Sequence, residues 1–217
     1  MLLREITLDY IRQYPILFFK ILSFKNKYKS LLVNEDTDIV IEGYPRSANT
    51  FAVAAFHISQ RTSLKVARHT HAVAQLKRAV TLEIPTLVII REPKQAILSY
   101  VIREENVTLN LAISRYLTYY KAVSQLKNAF VIAEFNEVIS NYGNVISRLN
   151  KRFNTQFSLF EHTKENIEKT FINVENMERD HAEVTLSESK FGRPSSERNL
   201  KKKELAKILE NPKYKAQ

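Results

Sequence analysis

Residues 38–51 could do chemistry because they place a basic and several hydroxyl side chains on a turn between a strand and a helix. Residues 39–41 form an apolar, β-branched run, which predicts a strand buried on both faces. This run ends at Gly43, and an apolar helical stretch begins near Asn49. A turn of this kind directs backbone N–H groups and the positive end of a helix dipole at one point. The stretch is therefore expected to bind a phosphate or a sulfate.

The spacing within this turn resembles a Walker A loop, which reads Gly, four residues, then Gly-Lys-Ser/Thr. Here Gly43 is followed by four residues and then by Ala48-Asn49-Thr50. Asn49 stands where a nucleoside triphosphatase has the lysine that reaches the β- and γ-phosphates. The positive charge lies three residues earlier, at Arg46. The frame thus suits an anion and argues against an ATPase.

A second basic residue follows another predicted strand. Residues 86–90, Thr-Leu-Val-Ile-Ile, form an apolar run that ends in Arg91. In a nucleoside triphosphatase such a strand commonly ends in an Asp that holds Mg²⁺. Arginine cannot bind a metal, but its forked guanidinium matches a phosphate. We therefore predict an anion pocket without a metal ligand.

The elements that must position these residues alternate between strands and helices. The predicted strands cover residues 39–41, 64–67, 86–90 and 130–135. The predicted helices cover residues 49–60, 71–81, 94–104, 108–127 and 136–151. Alternation of this kind favours an α/β fold of three layers, a parallel sheet with helices on both faces and a P-loop-like nucleotide-binding core. Residues 152–193 are less periodic, and their fold is left open.

Ligands of such folds bind at the carboxyl ends of the strands. Five residues with candidate roles fall at or just past those ends: Gly43, His69, His71, Arg91 and Glu134. Because these ends meet at one edge of a parallel sheet, we expect the site there.

The amino-acid composition limits the classes of protein to which the chain can belong. The chain has 217 residues with 44% hydrophobic side chains, enough for one well-buried domain over residues 1–217. It has no cysteine, which excludes disulfides and thiolate metal sites and fits a reducing, cytoplasmic compartment. The net charge of +10 predicts anionic partners. Part of the excess lies in a basic C-terminal helix or tail, residues 199–217, interpreted as a solvated face and a frayed end.

The N-terminal helical segment, residues 1–35, contains an apolar stretch from Tyr14 to Phe24. This stretch is too short to cross a bilayer, which takes about 20 residues. No small-residue cleavage site follows it, which argues against a signal peptide. We expect the segment to pack against the domain. Flanking lysines also permit peripheral contact with an anionic membrane: Lys20, Lys25, Lys27 and Lys29.

Three motifs of the chain resemble, in residue type and in their order along the sequence, those of sulfotransferases that use 3′-phosphoadenosine 5′-phosphosulfate (PAPS). Residues 44–51, Tyr-Pro-Arg-Ser-Ala-Asn-Thr-Phe, are similar to the family's Tyr-Pro-Lys-Ser-Gly-Thr-Thr-Trp loop, which binds the 5′-phosphosulfate. Arg91-Glu92-Pro93 followed by Ser99-Tyr100 resembles the second motif, whose Arg and Ser, also eight positions apart, hold the 3′-phosphate. Residues 135–138 are similar to the segment whose aromatic residue lies near the adenine. The resemblance covers roughly residues 36–150, the expected nucleotide-binding core.

The resemblance implies in-line transfer of a sulfuryl group from PAPS to a hydroxyl or amine acceptor, without a metal. It assigns the 5′ end of PAPS to the loop residues Arg46, Ser47, Ala48, Asn49, Thr50 and Phe51, with Thr50 capping the following helix. It assigns the 3′-phosphate to Arg91 and Ser99, and the adenine contact to Phe135. Arg46 is also expected to neutralise charge on the leaving phosphate oxygen.

A general base is implied by the same resemblance. Thr70-His71 stands where the family has a Thr-His pair whose imidazole removes the acceptor proton. His69 is the alternative, and His71 is preferred because Thr70 precedes it.

The chain departs from the family pattern in three places. Arg46 replaces the commoner Lys, and Ala48 and Asn49 replace Gly and Thr. The family's closing Arg-Lys-Gly segment has only a loose counterpart at residues 190–193. Residues 194–198 could instead present a helix N-terminus and Arg198 to the 3′-phosphate. Segments that form the family's acceptor pocket are shorter here, so the acceptor stays open among small alcohols, sugars, lipids and peptides.

Two other classes of function stay open beside the sulfotransferase. A P-loop kinase or nucleoside triphosphatase would need a Lys at position 49 and an acidic metal ligand, and neither is present. A non-catalytic module that binds anions or nucleic acid is supported by the charge, although the leading interpretation expects no nucleic acid partner.

Two further groups of residues are interpreted as structural or solvent-exposed rather than functional. Arg103, Glu104 and Glu105 form a solvated helix end, and Tyr116, Tyr119 and Tyr120 form part of the core, with Tyr119 the alternative lining of an acceptor cleft.

Overall fold

The structure, a computed structural model, describes residues 2–180, 192 and 194–209. In this part of the chain four strands form one parallel sheet in the order β2-β1-β3-β4. The strands are β1 (Ile39–Gly43), β2 (Val66–Arg68), β3 (Thr86–Ile90) and β4 (Val131–Glu134). Their carboxyl ends share one edge, which sets Gly43 opposite Ile89 and Ile90 opposite Glu134. This edge is where the predicted site residues belong.

Helices connect and flank the strands. They are α1 (Leu2–Ile11), α2 (Pro15–Leu22), α3 (Asn26–Lys29), α4 (Asn49–Ser59), α5 (Val73–Thr81), α6 (Pro93–Arg103), α7 (Leu109–Gln125), α8 (Phe135–Ser140), α9 (Tyr142–Phe153), α10 (Lys164–Asp180) and α11 (Ser196–Leu209). None of the helices described is both long and apolar enough to cross a bilayer.

The sheet is buried on both faces, as the β-branched runs predict. Side chains of alternate strand residues point to opposite layers. Ile41 and Ile89 pack in a core with α4, α8, α9 and α10, while Val40 and Val88 pack with α5, α6 and α7. All four are fully buried. The predicted three-layer α/β fold is confirmed.

The N-terminal helices pack against the domain, as expected. Phe18 of α2 is buried beside Ala72 and Ala74 at the start of α5. Arg115 of α7 donates from Nε to both carboxylate oxygens of Asp9 in α1, each at 2.9 Å. These contacts fix the segment on the α5 and α7 side of the sheet.

Two elements differ from the prediction. The helix expected over residues 136–151 is two helices, α8 and α9, separated at Asn141, whose φ of −152° and ψ of 53° are not helical. Val138 and Tyr142 are both fully buried and stand four residues apart, so the apolar spacing continues across the break and hides it. Helix α10 lies in the region whose fold the sequence left open, and it packs on α4 through Val174.

Candidate anion-binding and active site

The loop after β1 is shaped by one close approach and two unusual backbone conformations. A Cβ at Gly43 would lie 2.5 Å from the carbonyl oxygen of Ile89 in β3, so only glycine fits there. Arg46 and Ala48 have φ values of 67° and 71°, in the left-handed region that non-glycine residues avoid. Strained backbone of this kind is concentrated at binding and catalytic sites.

Helix α4 begins at this loop without a side-chain cap. Its N-cap residue is Ala48, which has no side chain able to accept a hydrogen bond, and Ala52 N–H donates to Ala48 O to begin the helical bonding. The N–H groups of the first turn therefore form a natural anion site. The prediction that Thr50 caps the helix is wrong, because Thr50 lies inside the first turn.

Two loop side chains face inward. The amide nitrogen of Asn49 donates to the carbonyl oxygen of Tyr44 at 2.9 Å, and Asn49 is only 4% exposed. The Ser47 side chain is fully buried. Asn49, at the position of the Walker A lysine, thus stabilises the loop through a hydrogen bond inside it. Its predicted nucleotide contact, like that of Ser47, has to come from the backbone.

The structure does not bring the side chain of Phe51 to the site. Phe51 is buried, and its ring lies 5.5 Å from that of Phe171 and 6.4 Å from that of Phe160, centroid to centroid. It lies on the face of α4 that packs on the core. The predicted side-chain contact between Phe51 and the nucleotide is therefore corrected to a packing role.

Arg46, Arg91 and Ser99 converge from three different elements. Arg91, at the end of β3, donates from Nη1 to the carbonyl oxygen of Arg46 at 2.6 Å. Arg46 donates from Nε to the hydroxyl of Ser99 in α6 at 3.3 Å. The Arg46 side chain is 12% exposed and Ser99 is buried. The two guanidinium groups singled out from the sequence thus lie at one edge of the sheet.

One buried carboxylate, Glu178 of α10, lies among these cations. Its Oε1 is 3.4 Å from Arg46 Nη1 and 3.6 Å from Arg103 Nη1. Its Oε2 accepts a hydrogen bond from the backbone N–H of Gly192 at 2.7 Å. The interpretation of Arg103 as part of a solvated helix end is wrong, because its side chain is only 18% exposed. The signal was its position four residues after Ser99, on the same face of α6.

Helix α11 brings two more cations to this place. Lys202 donates from Nζ to Oε1 of Gln95 at 2.8 Å, and Arg198 is one helical turn before it. Lys202 is half-buried, so the interpretation of the whole lysine-rich segment as solvated is wrong at this residue. Residues 190, 191 and 193, the loose counterpart of the family's closing segment, and residues 210–217 lie outside the described residues.

These residues form one cationic cluster: Arg46, Arg91, Arg103, Arg198 and Lys202. Burial lowers the pKa of Arg46 to about 10, with further lowering from Arg103, Arg198 and Arg91 and an opposing effect of Glu178. Burial and Arg198 lower the pKa of Arg91 to about 10. Burial lowers the pKa of Lys202 to about 8, with further lowering from Arg91, Arg198 and Arg46. Buried positive charges that repel one another are stabilised by an incoming anion.

A cleft of about 490 Å³ opens beside the cluster, past the ends of β3 and β4. Its lining includes Arg91, Gln95, Tyr116, Phe135 and Asn136. The guanidinium carbon of Arg91 lies 3.8 Å from the centroid of the Phe135 ring, a cation–π contact. The cleft therefore joins a guanidinium to an aromatic wall, and Glu92 and Glu134 also line it.

No protein-family model and no curated protein matches this chain. In structure the chain is similar to mouse sulfotransferase SULT7A1 complexed with PAP. The similarity covers 86% of this chain and 89% of that one, with 12% sequence identity and a TM-score of 0.46.

His71 lies in the loop between β2 and α5, and its ring is held in one orientation beside the end of β1. Its Nδ1 is 2.8 Å from the carbonyl oxygen of Gly43. A carbonyl oxygen only accepts, so Nδ1 carries the hydrogen and the neutral ring keeps a lone pair on Nε2. His69 and His71 both have left-handed φ values, 58° and 49°. The choice of His71 over His69 as the base stays a prediction.

A buried carboxylate that the sequence interpretation missed supports this histidine. Glu42, the fourth residue of β1, is fully buried. Its carboxylate accepts hydrogen bonds from the backbone N–H and the hydroxyl of Thr70, both at 2.8 Å, and from the His71 N–H at 3.1 Å. Its Oε2 also lies 3.7 Å from His71 Nδ1. An acidic residue inside an otherwise apolar strand was the available signal.

Tyrosines of α7 hold the end of β3 in place. The Tyr116 hydroxyl donates to the carbonyl oxygen of Arg91 at 2.7 Å, and the Tyr120 hydroxyl donates to that of Ile89 at 2.8 Å. Tyr116 and Tyr119 are both buried, which confirms the interpretation of this stripe as core. A hydrogen bond from α7 thus fixes the backbone position of Arg91.

Proposed function

We propose that this protein is a PAPS-dependent sulfotransferase that moves a sulfuryl group from PAPS to a hydroxyl or amine of an acceptor. One observation carries the proposal. Arg46 and Arg91 reach a common edge from adjacent strands, and Arg91 borders a cleft with an aromatic wall. A nucleotide with phosphates at two positions and one base matches this arrangement of charge and ring.

The residues present fit such a nucleotide. The cluster carries five cations, and two described carboxylates offset part of this charge: Glu178 beside Arg46 and Glu92 near Arg91 and Lys202. Arg46 and the uncapped start of α4 would hold the 5′ end, and Arg91 with Arg198 and Lys202 would hold the 3′-phosphate. Ser99, whose hydroxyl accepts a hydrogen bond from Arg46 Nε, would hold the 3′-phosphate with Arg91 and orient the Arg46 guanidinium. Phe135 would contact the adenine.

PAPS, when bound, supplies an activated sulfuryl group and a phosphate as its leaving group. Arg46 is placed to neutralise negative charge that develops on that phosphate, and fixed donors in a water-poor site are effective in this role. A sulfuryl group carries less negative charge than a terminal phosphate, so we propose that the reaction proceeds without a metal.

His71 is the proposed general base. Its Nδ1–H is held by the Gly43 carbonyl, so Nε2 can take the acceptor proton. The Glu42 carboxylate, 3.7 Å from Nδ1, would stabilise the resulting imidazolium. Glu42 is thus a positioning residue, while His71 is the catalytic one.

The role of Glu42 predicts a split between turnover and binding. Glu42→Gln keeps the size of the side chain and removes its charge, so kcat should fall while the Kd of 3′-phosphoadenosine 5′-phosphate (PAP) stays the same. Thr70→Val serves as a second variant in case Glu42→Gln fails to fold. A folded Glu42→Gln variant with unchanged kcat contradicts the role.

A thermal-shift comparison tests the proposed function. PAP without metal should stabilise the protein strongly, by about 2.7 kcal/mol at a concentration of 100 Kd, whereas ATP–Mg²⁺ and a single-stranded oligonucleotide should not. Arg91→Ala should reduce the PAP shift to that given by adenosine 5′-phosphate, and Arg61→Ala, which removes an exposed arginine, should keep the full shift. Equal stabilisation by ATP–Mg²⁺ would favour the kinase or nucleoside triphosphatase alternative.

The acceptor can then be found with labelled PAPS. The proposal expects transfer of label to a hydroxylated small molecule, a sugar or a lipid, and loss of that transfer in His71→Ala. Tight PAP binding without transfer to any acceptor class would leave a non-catalytic anion-binding module.

A further inference from the structure

Helix α2 and the turn after it expose large apolar side chains. Ile16 is 84% exposed and Phe24 is 81% exposed, and Leu17 and Ile21 are also exposed. The opposite side of the same helix is apolar too, since Phe18 is buried against the domain. Seven of the eight residues of α2 are apolar, and the exception is the exposed Lys20. The exposed group Ile16, Leu17, Ile21 and Phe24, here the α2 patch, marks an interaction surface.

Lysines lie close to this patch in the sequence, and one of them, Lys20, belongs to α2 itself. Lys20, Lys25, Lys27 and Lys29 are all exposed. Residues 10–34 contain five basic residues, these four and Arg12, and no Asp or Glu, a net charge of +5 in 25 residues. The partner of this surface must therefore accept apolar side chains and carry negative charge.

A basic groove adjoins the patch. It has a volume of about 510 Å³, and its lining includes Phe19, Lys20, Lys29, Leu32 and Arg78. The guanidinium carbon of Arg78 lies 4.8 Å from the centroid of the Phe19 ring. Three cations on apolar walls suit the phosphate of a lipid headgroup with the start of its acyl chains.

We infer that the α2 patch docks on the surface of an anionic lipid bilayer. The apolar side chains enter the boundary between headgroups and acyl chains, and the lysines bind lipid phosphates. The eight residues of α2 span about 12 Å, so the helix lies on the membrane and does not cross it. A second copy of the chain suits the patch less, because two sets of lysines would face each other. The outer surface of a nucleic acid duplex is phosphate and sugar, which offers no apolar surface for Ile16 and Phe24.

Sedimentation of the full-length chain with vesicles tests this inference. The protein should bind vesicles that contain about 30 mol% phosphatidylserine and should bind pure phosphatidylcholine at least tenfold more weakly. Binding should weaken as salt rises from about 0.1 M to about 0.5 M. Equal binding to both vesicles, or none to either, overturns the inference.

Two variants locate the contact. Ile16→Ser/Phe24→Ser should lose at least tenfold in binding to the anionic vesicles, because it removes two apolar side chains that would enter the bilayer. The fold should be kept, since both side chains are exposed and contribute nothing to the core. Lys25→Gln/Lys27→Gln should lose a similar factor, since each lysine near an anionic surface contributes about 1 kcal/mol. Lys203→Gln/Lys207→Gln removes the same charge from exposed positions of α11 and should bind as the parent does.

The alternatives give distinct results. If Ile16→Ser/Phe24→Ser converts a dimer to a monomer in light scattering, the patch belongs to a second copy of the chain and the inference fails. If all basic variants lose vesicle binding equally, net charge and not the α2 patch is responsible, which also overturns it. A PAP thermal shift that is unchanged in these variants shows that they are folded.

Discussion

The cationic cluster at the carboxyl end of the sheet and the α2 patch are both basic, but they differ in residue type and in burial. The cluster consists of four arginines and one half-buried lysine around Glu178. The patch has exposed lysines around exposed apolar side chains. Arginine in a partly buried site presents a fixed fork, while an exposed lysine is a mobile, hydrated charge. The first arrangement suits one anion of matching geometry, and the second suits the charge of a whole surface.

Removal of His71 should give the largest effect, a loss of kcat. A matched change in the α2 patch should leave kcat unchanged, which distinguishes the two regions. His71→Ala should lower kcat roughly 10²–10⁴-fold, the usual contribution of a general base, with little change in the Kd of PAP. Single-turnover kinetics and calorimetry check the two parts. Lys25→Gln/Lys27→Gln, the matched change in the patch, should leave kcat for a water-soluble acceptor unchanged. A large loss of PAP binding in His71→Ala would contradict its assigned role.

Glu178→Gln should change the cluster in two directions at once. Without its carboxylate, Arg46 and Arg103 lose a buried counter-charge that they share, so the unliganded protein should lose about 2 kcal/mol of stability, or roughly 4–8 °C in Tm. PAP should bind roughly tenfold more tightly, because the nucleotide no longer competes with a resident carboxylate. Differential scanning calorimetry with and without PAP measures both. Weaker PAP binding in this variant would show instead that Glu178 positions Arg46 for the nucleotide.

Lys202 should make PAP binding depend on pH. Its pKa of about 8 in the folded protein is below the ordinary value of 10.5, so between these values the unfolded chain binds more protons and the stability of the unliganded protein rises with pH. PAP favours the protonated lysine, so its affinity should fall several-fold from about pH 7 to about pH 9 as the proton is lost. Calorimetry of Lys202→Arg should show a flat profile over this range. Lys203→Arg, one residue away and exposed, should keep the slope.

The loop backbone should give the smallest effect. Ala48 has a φ of 71°, so Ala48→Gly should relieve strain and raise the free energy of unfolding by about 1 kcal/mol. The same substitution inside α7, Ala122→Gly, should lower it by about 0.5–1 kcal/mol. Urea denaturation measures both. Destabilisation by Ala48→Gly would mean that the strain is absent.

The core of the fold was predictable because its signals are local. The β-branched runs of β1 and β3 and the Gly43 spacing all lie within a few residues of the features that they specify. Arg46 and Arg91 could be found in the same way, since each stands shortly after a strand end, whereas Ser99 was assigned through the family resemblance, by its spacing from Arg91. The convergence of Arg91 on Arg46 then follows from the pairing of β1 with β3.

The rest of the site depends on packing between distant segments. Glu178 and Arg46 are 132 residues apart, and α10 carries no motif that links it to the loop. Arg103 and Lys202 did carry a signal, since each stands one helical turn after a residue already assigned to the site. The inward direction of Phe51 was hidden for another reason. An aromatic residue at the start of a helix can face the core or a ligand, and spacing does not distinguish the two.

Calorimetry of PAP and adenosine 5′-phosphate without metal tests the central claim most directly, that Arg46 and Arg91 hold opposite ends of one nucleotide. The parent protein should bind PAP roughly 10- to 100-fold more tightly than adenosine 5′-phosphate, because charged hydrogen bonds to the second phosphate contribute about 1.5–3 kcal/mol. Arg91→Ala should lose this preference and keep the weaker binding of adenosine 5′-phosphate. Equal affinity of the parent protein for the two nucleotides would contradict the account.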